Sequence, residues 1–336
     1  MNVKNSNNEE ISNTYISLHG ESTQIIQNFN KVDTKEIKPT TYNVNKNIYE
    51  EDLTIVVDHL INLNLNDLNK GNEDHIRKKH ILDYINSHNI ILQEIYNWLL
   101  NNQYHSNSIY LLGYFNYHGI VTNIDKKKTS NLYQKAAELE NVVAQLDLAT
   151  MYIYGEGAEI NYIKAFELSK KLAEKNNPNA MNRLGYCYDH GIGTCINEKK
   201  AFELYQKAAE LGNSNGINNV GWCCESGFGT NVDKQSAFKL YQKAADLGNA
   251  NGMNSLGCCY ENGVGTEINI KKAYELYQKA ANLGNDFAQF NLALMYEYGN
   301  EIKKDITKAI YWYKKSAKQG HSYAQKKLTE LLENEL

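Results

Sequence analysis

Large apolar residues recur along the chain at one long, fixed period. Leu112, Leu148, Leu184, Val220, Leu256, Leu292 and Leu328 stand 36 residues apart without a slip. The next position repeats too, as Gly113, Ala149, Gly185, Gly221, Gly257 and Ala293. A period of about 20–50 residues predicts a solenoid, whose units bury their apolar faces only against their neighbours. Each unit reads as two helices. Helix A carries the Leu-Gly pair, with a small residue four positions earlier: Ala144, Ala180, Gly216, Gly252, Ala288 and Ala324. A turn with paired glycines follows, at Gly155/Gly157, Gly191/Gly193, Gly227/Gly229 and Gly263/Gly265. Glycine supplies the positive φ that such a tight turn needs. Helix B opens on Asp125, Asn161, Asn197, Asp233, Asn269 and Asp305. All six are strong N-cap residues, able to accept from an orphaned backbone N–H.

The pattern divides the chain into three parts. Residues 1–48 are rich in Asn, Lys and Thr with no sustained period, and read as a disordered arm. Residues 51–101 turn helical, with Leu53, Val56, Val57, Leu60 and Ile61 at three- and four-residue steps. Ile76 and Leu100 lie one period before Leu112 and Ala136, as a degenerate capping repeat would place them, although Arg77 stands in the glycine column. Residues 106–333 are the expected all-α solenoid of six units, closed by a terminal helix around Ser322–Glu333.

Composition narrows the function classes. The net charge is −4, and Arg77 and Arg183 are the only arginines, which argues against nucleic acid. The N-terminus lacks the apolar core of a signal peptide, and no run approaches the roughly 18–20 apolar residues of a membrane span. A cytoplasmic protein, or a nuclear one, with no membrane insertion is expected. Cys187, Cys223 and Cys259 share a column with Phe115, Met151 and Met295, so they read as packing residues. The chain has no P-loop, H-E-x-x-H, G-x-S-x-G or G-x-G-x-x-G pattern, and His75 and His80 do not share a helix face. No catalytic residue, cofactor or metal is expected.

One unit reads Ala180-x-x-x-Leu184-Gly185-x-x-Tyr188-x-x-Gly191-x-Gly193-Thr194, then Asn197-x-x-Lys200-Ala201-x-x-Leu204-Tyr205-x-Lys207-Ala208-Ala209-x-Leu211-Gly212. This resembles the Sel-one-like repeat (SLR) family, a longer relative of the tetratricopeptide repeat, over about residues 106–331. The resemblance implies a right-handed superhelix of antiparallel helix pairs. It also implies a scaffold or adaptor role, as in subunits of ER-associated degradation complexes. Alternatives within the family are a regulatory subunit of a signalling or chitin-synthase-type complex and, from another class, a β-lactamase-like enzyme of the cysteine-rich branch. Ala209 with Ile217, and Ala245 with Met253, occupy the columns where that branch places Cys, which disfavours it. The run Trp98-Leu99-Leu100-Asn101-Asn102-Gln103 to Leu111-Leu112-Gly113-Tyr114-Phe115 is similar to the junction of fungal kinase–SLR proteins, but no kinase motif is present.

In tetratricopeptide-like solenoids helix A lines the concave groove. The resemblance therefore implies four partner-binding columns. Two are asparagines, Asn179, Asn215, Asn251 and Asn182, Asn218, Asn254. The third is Tyr186, Trp222 and Cys258; the fourth is Asp189, Glu225, Glu261 and Glu297. Asn offers a donor and an acceptor to peptide backbone, the aromatics offer contact area, and the acids favour a basic segment. The expectation is a non-catalytic scaffold that binds a peptide or domain of a protein partner, with a basic segment, in that groove.

Overall fold

The computed structural model describes residues 44–299 and 302–333. Among the described residues there are sixteen helices and no strand. Three helices come first: α1 (Val44–Lys70), α2 (Asp74–Ser87) and α3 (Leu92–Asn101). Helices A are then α4 (Ser106–His118), α6 (Val142–Tyr154), α8 (Pro178–His190), α10 (Ser214–Ser226), α12 (Ala250–Asn262) and α14 (Asp286–Tyr298). Helices B are α5 (Lys126–Glu138), α7 (Tyr162–Ala173), α9 (Glu198–Glu210), α11 (Lys234–Asp246), α13 (Ile270–Asn282) and α15 (Ile306–Lys318). The terminal helix is α16 (Ser322–Glu333). Helix α1 begins inside the expected 1–48 arm, because extending a formed helix costs far less than nucleating one. The remainder of that arm, residues 1–43, lies outside the described residues.

The chain forms two compact units. One takes the described part of Met1–Asn66, with Asp74–Met151 and Gly155–Glu159. The other takes Asp67–Glu73, Tyr152–Tyr154 and Ile160–Leu336. In the second unit each helix from α7 to α16 packs on the next in the chain, as a stack of repeats requires.

The columns fold for identifiable reasons. Leu112, Leu148, Leu184, Val220, Leu256 and Leu292 are all buried. The glycine that follows makes room for a tyrosine of helix B. A Cβ at Gly113, Gly185, Gly221 or Gly257 would lie 2.6–2.8 Å from the ring of Tyr133, Tyr205, Tyr241 or Tyr277. Those four tyrosines are buried. Each of Asp125, Asn161, Asn197, Asp233, Asn269 and Asp305 accepts from the backbone N–H three residues on, as its position predicts. Such a cap stabilises a helix by about 1 kcal/mol.

The second glycine of each turn has a further role. A Cβ at Gly193, Gly229 or Gly265 would lie 2.2–2.3 Å from the carbonyl oxygen of Tyr162, Glu198 or Lys234 in the preceding helix B. The turn of one repeat thus rests directly on the backbone of the repeat before it.

In the first unit Arg77 fills the place where a repeat would carry glycine, and it is buried. Its guanidinium donates to both carboxylate oxygens of Asp147, at 3.1 and 2.8 Å, and to Asn64 Oδ1 at 2.7 Å. The Tyr110 hydroxyl donates to the same carboxylate at 2.7 Å.

All six cysteines are free thiols. Burial pushes the Cys187 thiol up to about 11, and those of Cys223 and Cys259 up to about 12, as expected of packing residues. Among the described residues no helix is long and apolar enough to cross a membrane, and no cluster of His, Cys, Asp and Glu could hold a metal ion.

Candidate functional site

The four helix A columns do different work. The acidic column is bound to the buried tyrosines of helix B. The hydroxyls of Tyr205, Tyr241, Tyr277 and Tyr313 donate to Asp189, Glu225, Glu261 and Glu297, at 3.1, 2.8, 2.7 and 2.6 Å. Burial raises all four phenols well above their ordinary value, and the adjacent carboxylates raise them further. Burial also raises Asp189, against the opposing pull of His190 and the Tyr205 hydroxyl. One carboxylate oxygen in each of these four repeats therefore ties helix B to helix A.

The Asn182, Asn218, Asn254 column belongs to a ladder between repeats. Asn219 Nδ2 donates to Asn182 Oδ1 at 2.9 Å, and Asn291 Nδ2 donates to Asn254 Oδ1 at 3.1 Å. The middle rung is missing, because Ser255 stands where the donor asparagine should be. Asn218 Oδ1 is consequently buried without a hydrogen-bond partner among the described residues. Ser255→Asn is expected to complete the rung and raise stability by about 1 kcal/mol, read from the urea midpoint. An unchanged or lowered midpoint would contradict the ladder.

In the aromatic column, Tyr186 meets His190 in a tilted pair with ring centroids 4.0 Å apart. Trp222 lies 4.9 Å from Phe228 and remains 39% exposed. Cys258 Sγ accepts from the Tyr277 hydroxyl at 3.2 Å.

The first asparagine column meets a segment of the same chain. Asn179 Nδ2 donates to the Leu68 carbonyl at 2.9 Å, and Asn215 Nδ2 to the Gly71 carbonyl at 3.1 Å. Asn179 is only 7% exposed as a result. The third member, Asn251, is exposed, and its Oδ1 accepts from Asn285 Nδ2 at 2.8 Å. Glu73 accepts from the Ala250 N–H at the start of α12, and burial pushes its carboxyl up to about 6.

Two contributors escape a reading of the columns. One is a second set of caps, Asn141, Asn177, Asn213, Asn249 and Asn285, each accepting from the first turn of a helix A. Their constant 36-residue spacing was the available signal, masked by the abundance of Asn. The other is the segment 67–73, which carries no repeat and approaches residues more than 100 positions away.

The comparisons with known proteins agree with this architecture. A family model described as Sel1 repeat matches residues 106–141, 142–177, 178–213, 214–249, 250–285 and 286–321. Among solved structures, the chain is similar to a Sel1 repeat protein from Oxalobacter formigenes. The identity is 28% over 67% of this chain and 91% of that one, with a TM-score of 0.57. It is also similar to c5321, a protective antigen of uropathogenic Escherichia coli with an SLR fold. There the identity is 31% over 73% of this chain and 52% of that one, with a TM-score of 0.49. Helicobacter pylori cysteine rich protein B is 29% identical over 38% of this chain and 92% of its own, with a TM-score of 0.31. No curated protein matches the chain.

Proposed function

The chain belongs to the Sel1 repeat family, and from that premise we propose that it is a non-catalytic scaffold holding a lysine-bearing segment of a partner on the acidic column of helix A. Sel1 repeats are in general protein-interaction modules. The observation that supports this reading lies at the last repeat, where the column already holds a lysine of the same chain. Lys327 Nζ donates to Glu297 Oε1 at 3.1 Å and to the Tyr298 hydroxyl at 3.0 Å, with the ammonium 5.4 Å from that ring's centroid.

Glu225 and Glu261 repeat the tyrosine–carboxylate bond without the lysine, with Ser226 and Asn262 standing where Tyr298 completes its site. Each accepts a tyrosine hydroxyl on Oε2, and among the described residues neither forms an ion pair. Trp222, one helical turn before Glu225, adds an exposed ring suited to the stem and charge of a lysine. One exposed ion pair contributes little, so affinity requires several such contacts along the column.

Glu225→Gln combined with Glu261→Gln removes both charges and keeps an acceptor for Tyr241 and Tyr277. A labelled dodecapeptide with lysine at every third position is expected to bind the double variant at least ten-fold more weakly at low salt. Wild-type binding should also weaken as salt is added. Equal affinity of the two chains would remove the basis for this reading.

A further inference from the structure

The segment 67–73 binds the repeats mainly through its backbone. Helix α1 ends at Lys70, and its last carbonyls have no partner within the helix. Gly71, at φ +79, turns the chain. The carbonyls of Leu68, Asn69 and Gly71 then accept from Asn179 Nδ2, Asn213 Nδ2 and Asn215 Nδ2, at 2.9, 3.0 and 3.1 Å. Glu73 continues to the N–H of Ala250. In six residues the segment crosses the N-termini of α8, α10 and α12, three successive helices A. The positive ends of those helix dipoles suit carbonyls and a carboxylate.

Side chains matter most at three places, beside the Asn69 Oδ1 that accepts from Asn177. Leu68 is buried. At Gly71 a Cβ would lie 2.9 Å from Ser214 Oγ and 3.0 Å from the backbone nitrogen of Asn215, so any larger residue collides. Glu73 supplies the carboxylate. The pattern is Leu-x-x-Gly-x-Glu at the C-terminal turn of a helix.

The ladder offers an alternative partner for an amide that this segment now engages. In later repeats the cap asparagine donates to the first-column asparagine before it. Asn249 Nδ2 reaches Asn215 Oδ1 at 2.7 Å, and Asn285 Nδ2 reaches Asn251 Oδ1 at 2.8 Å. Asn213 is the equivalent donor to Asn179, but its amide is turned onto the Leu68 and Asn69 carbonyls instead. Asn177 likewise donates to Asn69 Oδ1, at 2.9 Å. When the segment leaves, Asn213 can turn to Asn179 Oδ1, which also accepts from Arg183 at 3.2 Å, and this offsets part of the lost bonding.

We propose that the N-termini of α8, α10 and α12 form a binding site for a helix C-terminus carrying Leu-x-x-Gly-x-Glu on a partner protein, and that residues 67–73 occupy it in cis as a competitor. This rests on the scaffold reading only in that the occupant is a protein; it uses residues other than the acidic column.

The probe is a labelled peptide of residues 57–75, titrated into the full chain and into the full chain carrying Gly71→Val. The variant segment collides with Asn215 and vacates the site, so the peptide should bind the variant at least ten-fold more tightly than the wild type. A peptide that itself carries Gly71→Val should bind neither chain. Equal affinity for the two chains, or equal affinity of the two peptides, overturns the proposal. Should circular dichroism show the variant unfolded, hydrogen exchange on the wild-type chain decides. The Gly71 and Asn72 amides bond to the segment's own Leu68 and Asp67 carbonyls, so excess peptide must raise their exchange by letting the undocked helix end fray, and unchanged exchange overturns the proposal. Glu225→Gln with Glu261→Gln should leave this binding within two-fold, so failure here and failure of the lysine reading are separate results.

Discussion

Gly229→Ala is expected to lower stability by about 2–5 kcal/mol, a large effect for a single methyl group. Two costs combine. At φ +67 an L-residue loses roughly 1–2 kcal/mol relative to glycine. The added Cβ would also stand 2.3 Å from the Glu198 carbonyl oxygen and 2.7 Å from its carbon. Both belong to the backbone of the neighbouring helix, so no rotamer change relieves the contact, and overpacking of this kind costs about 1–3 kcal/mol. Gly212→Ala separates the two costs. Gly212 has φ +83, and an added Cβ meets nothing within 4 Å. It should therefore lose only the conformational part. Urea unfolding of both variants measures the difference, and losses equal within about 0.5 kcal/mol would exclude a close approach between repeats at Gly229.

Arg77→Met should cost about 3–5 kcal/mol, by a different route. The guanidinium and the Asp147 carboxylate are 7% and 14% exposed, and they meet at 2.8 Å. Removing the arginine leaves a carboxylate out of water with only the Tyr110 hydroxyl to hold it, and also strips Asn64 Oδ1 of its donor. An uncompensated buried charge is far more costly than a missing pair. Arg77→Met with Asp147→Leu should accordingly recover more than half of the loss. A double variant as unstable as the sum of its single changes would show that the two charges act independently.

The repeats were legible because each physical requirement recurs at one period. A cap must accept an N–H, so Asn161, Asn197 and Asp233 fall in register; a tyrosine ring needs space, so Gly185, Gly221 and Gly257 do too. The proposed binding face was less legible. Asn179, Asn182 and Glu225 were identifiable as positions, but their bonding depends on residues in other repeats and on Leu68 and Gly71, far away in sequence. In a chain so rich in asparagine, a capping Asn, a ladder Asn and a peptide-reading Asn are the same letter. Geometry alone separates them. Asn213 performs two of these roles, accepting from the Gly216 N–H while its amide holds the Asn69 carbonyl.

The Asn–Asn rungs also set how the stack responds to its surroundings. From repeat to repeat, Asn219 to Asn182, Asn249 to Asn215, Asn285 to Asn251 and Asn291 to Asn254 are contacts between neutral amides. Neutral contacts are not screened by dissolved ions and do not titrate across the physiological range. The lysine-bearing cargo proposed for Glu225 and Glu261 would be held by charge and screened. Raising ionic strength is therefore expected to release such a cargo while leaving these amide contacts in place.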